Sequence, residues 1–494
     1  MTKYKKEFAE NIIVLLICCI TTFLFLVNSP FHPWTNTYAP TDSAVFKTIT
    51  MMMENGAMPY KDSFDHKGPI LYVINWLGDR IAVYRGVWVL EFLSLVIAFF
   101  FMYKIACLLS GKVRAVISVF VSISIMFGAY CGGNICEEYA LPFIAVSLFF
   151  FGDYLKNNII TRKRLLVCGL SFACVLLLKA NLISTWLVFC PVVLFACVKN
   201  KKCQELKGFI AWFLVGAAIV FIPVVAWLYI RGALAQCWND YIIFNRLYVS
   251  AEGGRALFTN KVHAFFFFCN RPVIWISLGV LIYMCFYKSK RYNVIYIAYI
   301  LLILIFASMS GMAFVHYAIT FVPAIVYPIS CIFAEIDKMK SGCISLIVSL
   351  IVSISFLSGI ILPDWINLGK TIPAIYQSRN IDKRTGIIND IANYINNETE
   401  REEAISVYGN WDIIYLMSGR RHATRYSYQF PVGQVLPDLM KDYMNQLQEE
   451  LPRVIVIEAG FYDESIAQFL INNNYILVLT EDENSMDGAM VFKR

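Results

Sequence analysis

Residues 38–75 of the chain read YAPTDSAVFKTITMMMENGAMPYKDSFDHKGPILYVIN and follow a first apolar segment. This polar loop contains five ionisable side chains of interest: Asp42, Asp62, Asp65, His66 and Lys67. A carboxylate can take a proton from a hydroxyl group, and a lysine can bind a phosphate group. Transfer of a group from a phosphate-linked donor needs both kinds of side chain, here at the surface of a membrane.

The rest of the chain is strongly apolar. Of its 494 residues, 59% are hydrophobic and 16% are charged, and the apolar residues occur in runs of about 20. This composition predicts an α-helical polytopic membrane protein with about eleven transmembrane helices. The predicted spans lie near 11–30, 81–103, 115–131, 139–155, 165–182, 184–198, 208–230, 264–286, 294–310, 316–335 and 342–362. No small-residue cleavage site follows the first span, which we therefore interpret as a retained anchor.

The net charge is +7, and the Lys and Arg residues lie in short links between apolar runs. Their distribution among these links orients the spans. Basic links occur at 3–6, 104–114, 156–164, 199–207, 288–291 and 338–340. Cytoplasmic loops are enriched in Lys and Arg, so the N-terminus is predicted to be cytoplasmic and the C-terminus extracytoplasmic. The first loop, the turn at 132–138, the loop at 232–263 and the turn at 310–316 would then share the outer face.

The sequence divides into two predicted domains. Residues 1–362 form the membrane domain, with a first outer loop at 31–80, and residues 363–494 form an extracytoplasmic α/β domain. In the second domain, 400–410 and 451–460 have the pattern of strands, and 436–450 and 464–473 that of helices. Three arginines in this domain could meet an anionic headgroup or lie on a solvated basic face: Arg420, Arg421 and Arg425.

Several common kinds of site are absent from the sequence. The fifteen cysteines lie mostly singly inside apolar runs, without a CxxC pair or a Cys/His set at metal-ligand spacing. The chain has no P-loop, GxSxG elbow or HExxH motif. It also lacks the DxD pattern of soluble nucleotide-sugar transferases, as expected for an enzyme with a lipid-linked donor.

Two features of the outer loops have more than one interpretation. Asp42 precedes a helical pattern and could serve either as a base at the membrane surface or as a helix cap. The 232–263 loop carries aromatic residues at helical spacing, with polar residues between them: Trp238, Tyr241, Phe244, Tyr248 and Arg246. This pattern predicts a helix at the membrane interface, and its aromatic rings could anchor the helix or form platforms for sugar rings.

HKGPILYVIN (66–75), preceded by an acidic loop and an amphipathic helix, resembles an element of the GT-C membrane glycosyltransferases. It is similar to the Lys-Pro-Pro-Leu-x-Tyr element of the lipid A aminoarabinose transferases and the protein mannosyltransferases, with Gly68 in place of the first proline. The resemblance implies that Asp42 is the catalytic base and that Lys67 contacts the donor phosphate. His66 replaces an acidic residue that can help bind a metal, which leaves use of a divalent metal open, with His66 and Asp65 as weak candidate ligands.

Other polar residues lie at positions where this superfamily has functional groups. Glu137 and Glu138 match a second outer acidic motif and are candidate catalytic residues, with Asn134 beside them. Lys179, His316 and Tyr317 are candidate ligands of the donor phosphate; a snorkelling lysine and an interfacial His-Tyr pair are the alternatives. Candidate substrate-binding residues are Asp65, His66, Asn134 and Arg246.

The resemblance thus implies an inverting glycosyltransferase in a bacterial cytoplasmic membrane. It would move a monosaccharide from a polyprenyl-phosphate donor to an extracytoplasmic glycan, lipid or protein. No cofactor is certain, use of a divalent metal stays open, and no nucleic acid partner is expected. Three alternatives stay open: a transporter or flippase of lipid-linked saccharides, a polymerase of such saccharides, and a surface assembly protein whose working part is 363–494. The identity of the sugar and of the acceptor is not encoded in any motif found here.

Overall fold

The computed structural model of the chain describes residues 3–35, 37–250, 255–287, 290–339, 342–377, 383–481 and 488–494. The chain forms two compact units. The first unit comprises Met1–Asn28, Trp88–Val225 and Gly254–Pro373, and the second comprises Ser29–Val87, Ala226–Gly253 and Ala374–Arg494. The second unit therefore groups the first polar loop with the aromatic loop and the C-terminal segment.

Helices dominate the described residues. The first eleven are α1 Lys3–Phe25, α2 Thr41–Glu54, α3 Pro69–Ile81, α4 Val87–Cys107, α5 Lys112–Phe127, α6 Cys136–Asn157, α7 Arg162–Leu176, α8 Ser184–Lys199, α9 Cys203–Ile230, α10 Leu234–Cys237 and α11 Phe244–Ser250. The others are α12 Arg255–Cys269, α13 Pro272–Tyr287, α14 Lys290–Ser308, α15 Val322–Ile336, α16 Gly342–Phe356, α17 Leu362–Gln377, α18 Lys383–Glu398, α19 Ile413–Ser418, α20 Val432–Val435, α21 Pro437–Glu450 and α22 Glu464–Asn472.

Each predicted span coincides with a helix or a bent pair of helices, and the chain is a multi-pass membrane protein. Among the described residues, six helices are long and apolar enough to cross a membrane: Lys5–Asn28, Val87–Cys107, Cys136–Asn157, Cys203–Ile230, Val315–Ile336 and Gly342–Lys370. The pair Thr259–Cys269 and Pro272–Tyr287, bent by 82°, would make a seventh. The predicted count of about eleven is not confirmed, because other apolar helices, such as Ser184–Lys199, are shorter than a full crossing.

Small residues let two helices of the first unit approach closely. A Cβ atom on Gly169 of α7 would overlap the carbonyl oxygen of Phe213 in α9. A Cβ atom on Gly216 of α9 would likewise overlap the carbonyl oxygen of Leu166 in α7. Packing between helices in a membrane depends on such backbone approach, since lipid supplies little hydrophobic driving force between them.

The second unit contains a five-stranded sheet: β1 Ala404–Tyr408, β2 Arg421–His422, β3 Val454–Glu458, β4 Ile476–Glu481 and β5 Ala489–Lys493. The strand order is β2-β1-β3-β5-β4, with β1 parallel to β2 and β3, and β5 antiparallel to β3 and β4. The predictions of strands within 400–410 and 451–460, and of helices near 436–450 and 464–473, are confirmed.

The aromatic loop is helical, as its spacing predicts. It runs from α10 through a π-helical segment, Trp238–Ile243, into α11. The last part of the predicted 232–263 loop falls partly outside the described residues. In the second unit α2 packs against α3 and α19, so that the first loop and the C-terminal segment form one core.

Candidate active site

Lys67 lies immediately before the first turn of α3. Gly68 is the residue before the helix, and Pro69 occupies the first helical position, where its fixed φ angle suits the helix and its missing N–H costs nothing. The carbonyl oxygen of Lys67 accepts a hydrogen bond of 2.7 Å from the Tyr60 hydroxyl. The backbone that carries the lysine is therefore fixed on both sides.

Asp65 is a buried carboxylate whose oxygens are well satisfied. The residue as a whole is 1% exposed. The Tyr72 hydroxyl donates to Oδ2 at 2.7 Å, the Tyr428 hydroxyl donates to Oδ1 at 3.0 Å, and the His66 N–H donates to Oδ1 at 2.7 Å. A buried charge is costly without such donors, so these three contacts make Asp65 a support for its neighbours.

His66 connects Asp65 to Lys67. Its Nδ1 atom lies 3.5 Å from Asp65 Oδ1, and its Nε2 atom lies 2.8 Å from Lys67 Nζ. The imidazole ring stacks on two aromatic residues of α11, Phe244 at 5.5 Å and Tyr248 at 6.1 Å between ring centroids. The aromatic helix therefore holds a histidine ring of the first loop.

The positive charge of Lys67 is not neutralised by a carboxylate. In the part of the chain that the structure describes, no Asp or Glu oxygen lies within 4.0 Å of its Nζ atom, and its ammonium group lies 5.9 Å from the centre of the Phe46 ring. The side chain is half-buried. An ammonium group in this setting is available to an anion from outside the chain.

Asp42 lies in the first turn of α2 and is exposed. Pro40 is the cap residue of this helix, and no side chain caps it. The capping interpretation of Asp42 is therefore wrong, and its carboxylate faces solvent.

The Tyr428 hydroxyl of the second unit has several carboxyl groups in its neighbourhood. Burial raises its pKa well above the ordinary value, and the charges of Asp65, Asp42 and Asp412 raise it further. These three carboxyl groups therefore lie close enough to the Tyr428 hydroxyl to act on it electrostatically. Tyr428 and Asp412 belong to the C-terminal segment, and both escape sequence analysis.

Asp412 is fully buried, at 0% exposure, and neither of its carboxyl oxygens meets hydrogen-bond geometry with a described residue. Burial raises its pKa to about 7; the nearby Ser427 hydroxyl lowers it and the charge of Asp65 raises it. A buried acid without a strong donor is unusual in a stable domain, and such groups concentrate at functional sites.

The three C-terminal arginines differ in burial, although each has an internal partner, and Arg421 donates to the Glu402 carbonyl oxygen at 3.3 Å. Arg420 is buried and donates to Thr399 and to the Ser418 carbonyl oxygen. Arg425 pairs with Asp240 and donates to the Tyr60 carbonyl oxygen. Arg421 alone of the three is exposed. A shared basic face for an anionic surface is therefore wrong, since two of its members hold the second unit together.

In the first unit, Lys179 pairs with a carboxylate. Its Nζ atom lies 2.6 Å from Glu137 Oε1 and 4.0 Å from the centre of the Tyr317 ring. Glu137, Tyr317 and Asn181 line a small cavity. The structure thus brings together three of the residues that the sequence singles out, Glu137, Lys179 and Tyr317.

Glu138 points to a different neighbour. It is 0% exposed, and the carboxyl group of Glu91, a residue of α4 that sequence analysis missed inside an apolar run, lies close enough to act on it electrostatically. Asn134 is also buried and accepts a 2.9 Å hydrogen bond from Tyr139.

The remaining predicted site residues are placed as follows. His316 packs edge-on against Tyr317, with ring centroids 4.8 Å apart, just before α15. Arg246 is exposed on α11. By unit, the second contains Asp42, Asp65, His66, Lys67 and Arg246, and the first contains Asn134, Glu137, Glu138, Lys179, His316 and Tyr317.

Residues 1–360 match a known family, described as "Putative competence-induced protein Ccs4 N-terminal domain". The chain belongs to this family. No curated protein matches this Ccs4-family chain in sequence.

Solved structures share the fold of the Ccs4-family chain. ArnT from Cupriavidus metallidurans, solved bound to undecaprenyl phosphate, has a TM-score of 0.62 at 12% identity, with 97% of each chain covered. The oligosaccharyltransferase AglB from Archaeoglobus fulgidus, solved with an inhibitory peptide and a dolichol-phosphate, has a TM-score of 0.55 at 13% identity, covering 93% of this chain and 70% of AglB. Both are GT-C membrane glycosyltransferases, and their likeness to this chain confirms the fold that the resemblance of the first loop implies.

A metal site at His66 and Asp65 does not fit the residues present. The oxygens of Asp65 already accept from two tyrosines and a backbone N–H, and His66 Nε2 faces the ammonium group of Lys67. A cation placed there would meet another cation. No group of three or more His, Cys, Asp or Glu side chains within the described ranges is arranged to hold a metal ion.

Proposed function

We propose that the chain is an inverting glycosyltransferase that moves a monosaccharide from a polyprenyl-phosphate donor to an acceptor outside the cytoplasm. The supporting observation is the ammonium group of Lys67, which contacts a histidine and no carboxylate in the described residues. A lipid phosphate is the anion that such a group would bind in a chain with this fold. The solved ArnT structure that shares the fold is bound to undecaprenyl phosphate.

Asp42 is the proposed base. Its exposed carboxylate would take the proton of the acceptor hydroxyl as the oxygen attacks C1 of the donor sugar. The bond from C1 to the phosphate oxygen breaks, the electron pair leaves with the lipid phosphate, and the anomeric centre inverts. A phosphate leaving group needs no acid to protonate it, only a cation, which Lys67 would supply.

The charged cluster of the first unit has a separate proposed role. Lys179, with His316 and Tyr317, is proposed to bind an anionic lipid group, and Glu137 and Glu138 are proposed acidic groups of the reaction. The contact between Lys179 and Glu137 means that an anion would have to compete with the carboxylate. Asp65 and His66 are proposed to support Lys67, and Asn134 and Arg246 to contact substrate.

The proposed setting is a bacterial cytoplasmic membrane, with the N-terminus cytoplasmic and the C-terminal segment extracytoplasmic. The acceptor would be a glycan, lipid or protein of the cell envelope. A hexosyl or a pentosyl group would suit the chemistry equally, because the proposed base acts on the acceptor and the proposed lysine on the phosphate.

Release of undecaprenyl phosphate from radiolabelled undecaprenyl-phosphate sugars tests this proposal, with purified protein in detergent and cell-envelope acceptors. Asp42→Asn should lower acceptor-dependent release by about 10²–10⁴-fold, the range that a general base supplies. The matched control is Asp438→Asn, because Asp438 is also an exposed first-turn aspartate, in α21. That variant should keep the activity of the wild type.

Two outcomes would count against the proposal. Equal activity of the Asp42→Asn and Asp438→Asn variants would remove Asp42 as the base. No release from any donor by the wild-type protein, together with movement of lipid-linked sugar across vesicles, would identify a transporter instead.

A further inference from the structure

Tyr428 is a buried residue of the C-terminal segment whose hydroxyl group lies against the first loop. It is 5% exposed. Its hydroxyl lies 3.0 Å from Asp65 Oδ1 and 3.3 Å from His66 Nδ1. Residues 65 and 428 are separated by most of the chain, so this contact links the C-terminal segment to the loop that carries Lys67 within the second unit.

The hydrogen-bond roles along this contact are fixed by chemistry. The ammonium group of Lys67 can only donate, so the Nε2 atom of His66, 2.8 Å away, must accept. A neutral imidazole carries its proton on one nitrogen, and we therefore assign it to Nδ1. That nitrogen faces Asp65 Oδ1 at 3.5 Å. The carboxylate of Asp65 thus favours the tautomer with the proton on Nδ1, which leaves Nε2 to accept a hydrogen bond from the Lys67 ammonium group.

Tyr428 keeps Asp65 and His66 in this arrangement. Burial, together with the neighbouring carboxylates, raises the pKa of Tyr428 well above its ordinary value, so the group stays a hydroxyl and a donor at neutral pH. Asp65 has a second tyrosine donor on its other oxygen, the Tyr72 hydroxyl at 2.7 Å. Loss of the Tyr428 hydroxyl would leave the backbone N–H of His66 as a donor to Oδ1, but would remove the group that contacts both Oδ1 and the Nδ1 atom of His66.

We propose that Tyr428 is a positioning residue, which acts through Asp65 and His66 to hold the ammonium group of Lys67 in place for a lipid phosphate. The inference rests on the proposed function, since it assigns Tyr428 to the donor site. A lysine has a long flexible stem, and fixing it costs conformational entropy that a preformed contact removes before the ligand binds. A neutral histidine fixes the ammonium group without neutralising it, as a carboxylate would.

The C-terminal segment also supplies the matched control. Tyr426 lies two residues before Tyr428, and its hydroxyl donates to Asp442 at 2.6 Å. Its ring packs on Phe64, as does the ring of Tyr428. Tyr426→Phe therefore removes a hydroxyl from the same segment and keeps the ring. It leaves the contacts that connect Tyr428 to Lys67 unchanged.

The first measurement is the concentration of undecaprenyl phosphate that gives half-maximal protection of the purified full-length protein against heat. Tyr428→Phe should raise it about tenfold, as expected for loss of a hydrogen bond to a charged group. Tyr426→Phe should leave it at the wild-type value. Equal half-maximal concentrations for the two variants, with the wild type protected, would overturn the inference and leave the donor site intact.

The second measurement reports on the histidine itself and needs no ligand. Magic-angle-spinning NMR of the protein labelled with ¹⁵N-histidine in liposomes resolves ring nitrogens, and the chain has only five histidines, so the His66→Gln variant identifies the His66 signals. Tyr428→Phe should change the tautomer signals of His66, whereas Tyr426→Phe should not. If undecaprenyl phosphate does not protect the wild type, the proposed donor is wrong, but the spectra still test the role of Tyr428. Unchanged His66 signals in Tyr428→Phe would overturn the inference.

Discussion

Lys67 in the second unit and Lys179 in the first are both half-buried lysines beside an aromatic ring, but their ammonium groups contact different kinds of partner. Lys179 lies 2.6 Å from the carboxylate of Glu137. Lys67 lies 2.8 Å from an imidazole nitrogen, without a carboxylate partner in the described residues. A lysine held by a carboxylate is largely neutralised, whereas a lysine held by a neutral acceptor keeps its charge for a ligand. We therefore expect loss of Lys179 to cost more stability than loss of Lys67, and an anion to bind more readily at Lys67 than at Lys179, where it competes with Glu137.

Breaking the pair in the first unit should have the largest effect. Glu137→Gln leaves Lys179 as an uncompensated charge, and loss of one partner from a buried ion pair costs about 3–5 kcal/mol. Glu137→Gln and Lys179→Met should each lower the thermal unfolding temperature in detergent, and the double variant should recover most of the loss. Lys67→Met should change the unfolding temperature much less.

The comparison would fail under a specific result. If Lys67→Met and Lys179→Met lowered the unfolding temperature equally, the two lysines would have the same role in stability. If the double variant were as unstable as the sum of its two single variants, the contact between Glu137 and Lys179 would carry no coupling energy.

The two units also differ in how they hold a buried carboxyl group. Glu137 of the first unit is paired with a lysine, whereas Asp412 of the second unit forms no ion pair with a described residue. Burial raises its pKa from 3.8 to about 7. Below about pH 4 the group is protonated in both the folded and the unfolded chain. As the pH rises to about 7, the unfolded chain loses the proton first, so stability falls across this window and then stays level. The full shift corresponds to about 4 kcal/mol as an upper limit.

Asp412→Asn should remove this dependence. The variant and the wild type should unfold at similar temperatures near pH 4, and the variant should become progressively more stable than the wild type up to about pH 7. Thermal unfolding in detergent at a series of pH values measures the difference. A constant difference between the two proteins over this range would show that Asp412 titrates alike in the folded and unfolded chains.

Sequence alone predicts the parts of the candidate site that are close along the chain. Asp42, Asp65, His66 and Lys67 lie within one loop and can be read together as a candidate donor and base region. The predicted helical spans also coincide with helices, because each is an apolar run of near-membrane length. Their number as crossings could not be settled in this way, since length and tilt depend on packing against neighbouring helices.

The residues that sequence analysis missed are distant along the chain from the residues they contact, and folding brings them together. Tyr428 meets Asp65 across 363 positions of sequence, and nothing near Tyr428 marks it as different from any buried tyrosine. Glu91 lies inside an apolar run, where a single acid looks like an exception until Glu138 is seen beside it. The capping interpretation of Asp42 failed because Pro40 is the cap residue of α2 and Asp42 lies inside its first turn.

Removing Lys67 gives the smallest of these energies but bears most directly on binding. Lys67→Ala should lower kcat/KM for an undecaprenyl-phosphate sugar about tenfold or more, equivalent to about 1.4 kcal/mol, because the leaving phosphate loses its cation. Lys61→Ala is the control, since Lys61 is an exposed lysine of the same loop. Salt should weaken donor use by the wild type and by Lys61→Ala, but much less by Lys67→Ala, because screening acts only on a charge that is present. Equal salt dependence in all three proteins would mean that the phosphate binds away from Lys67. The difference in partner, an imidazole for Lys67 and a carboxylate for Lys179, would then not correspond to a difference in function.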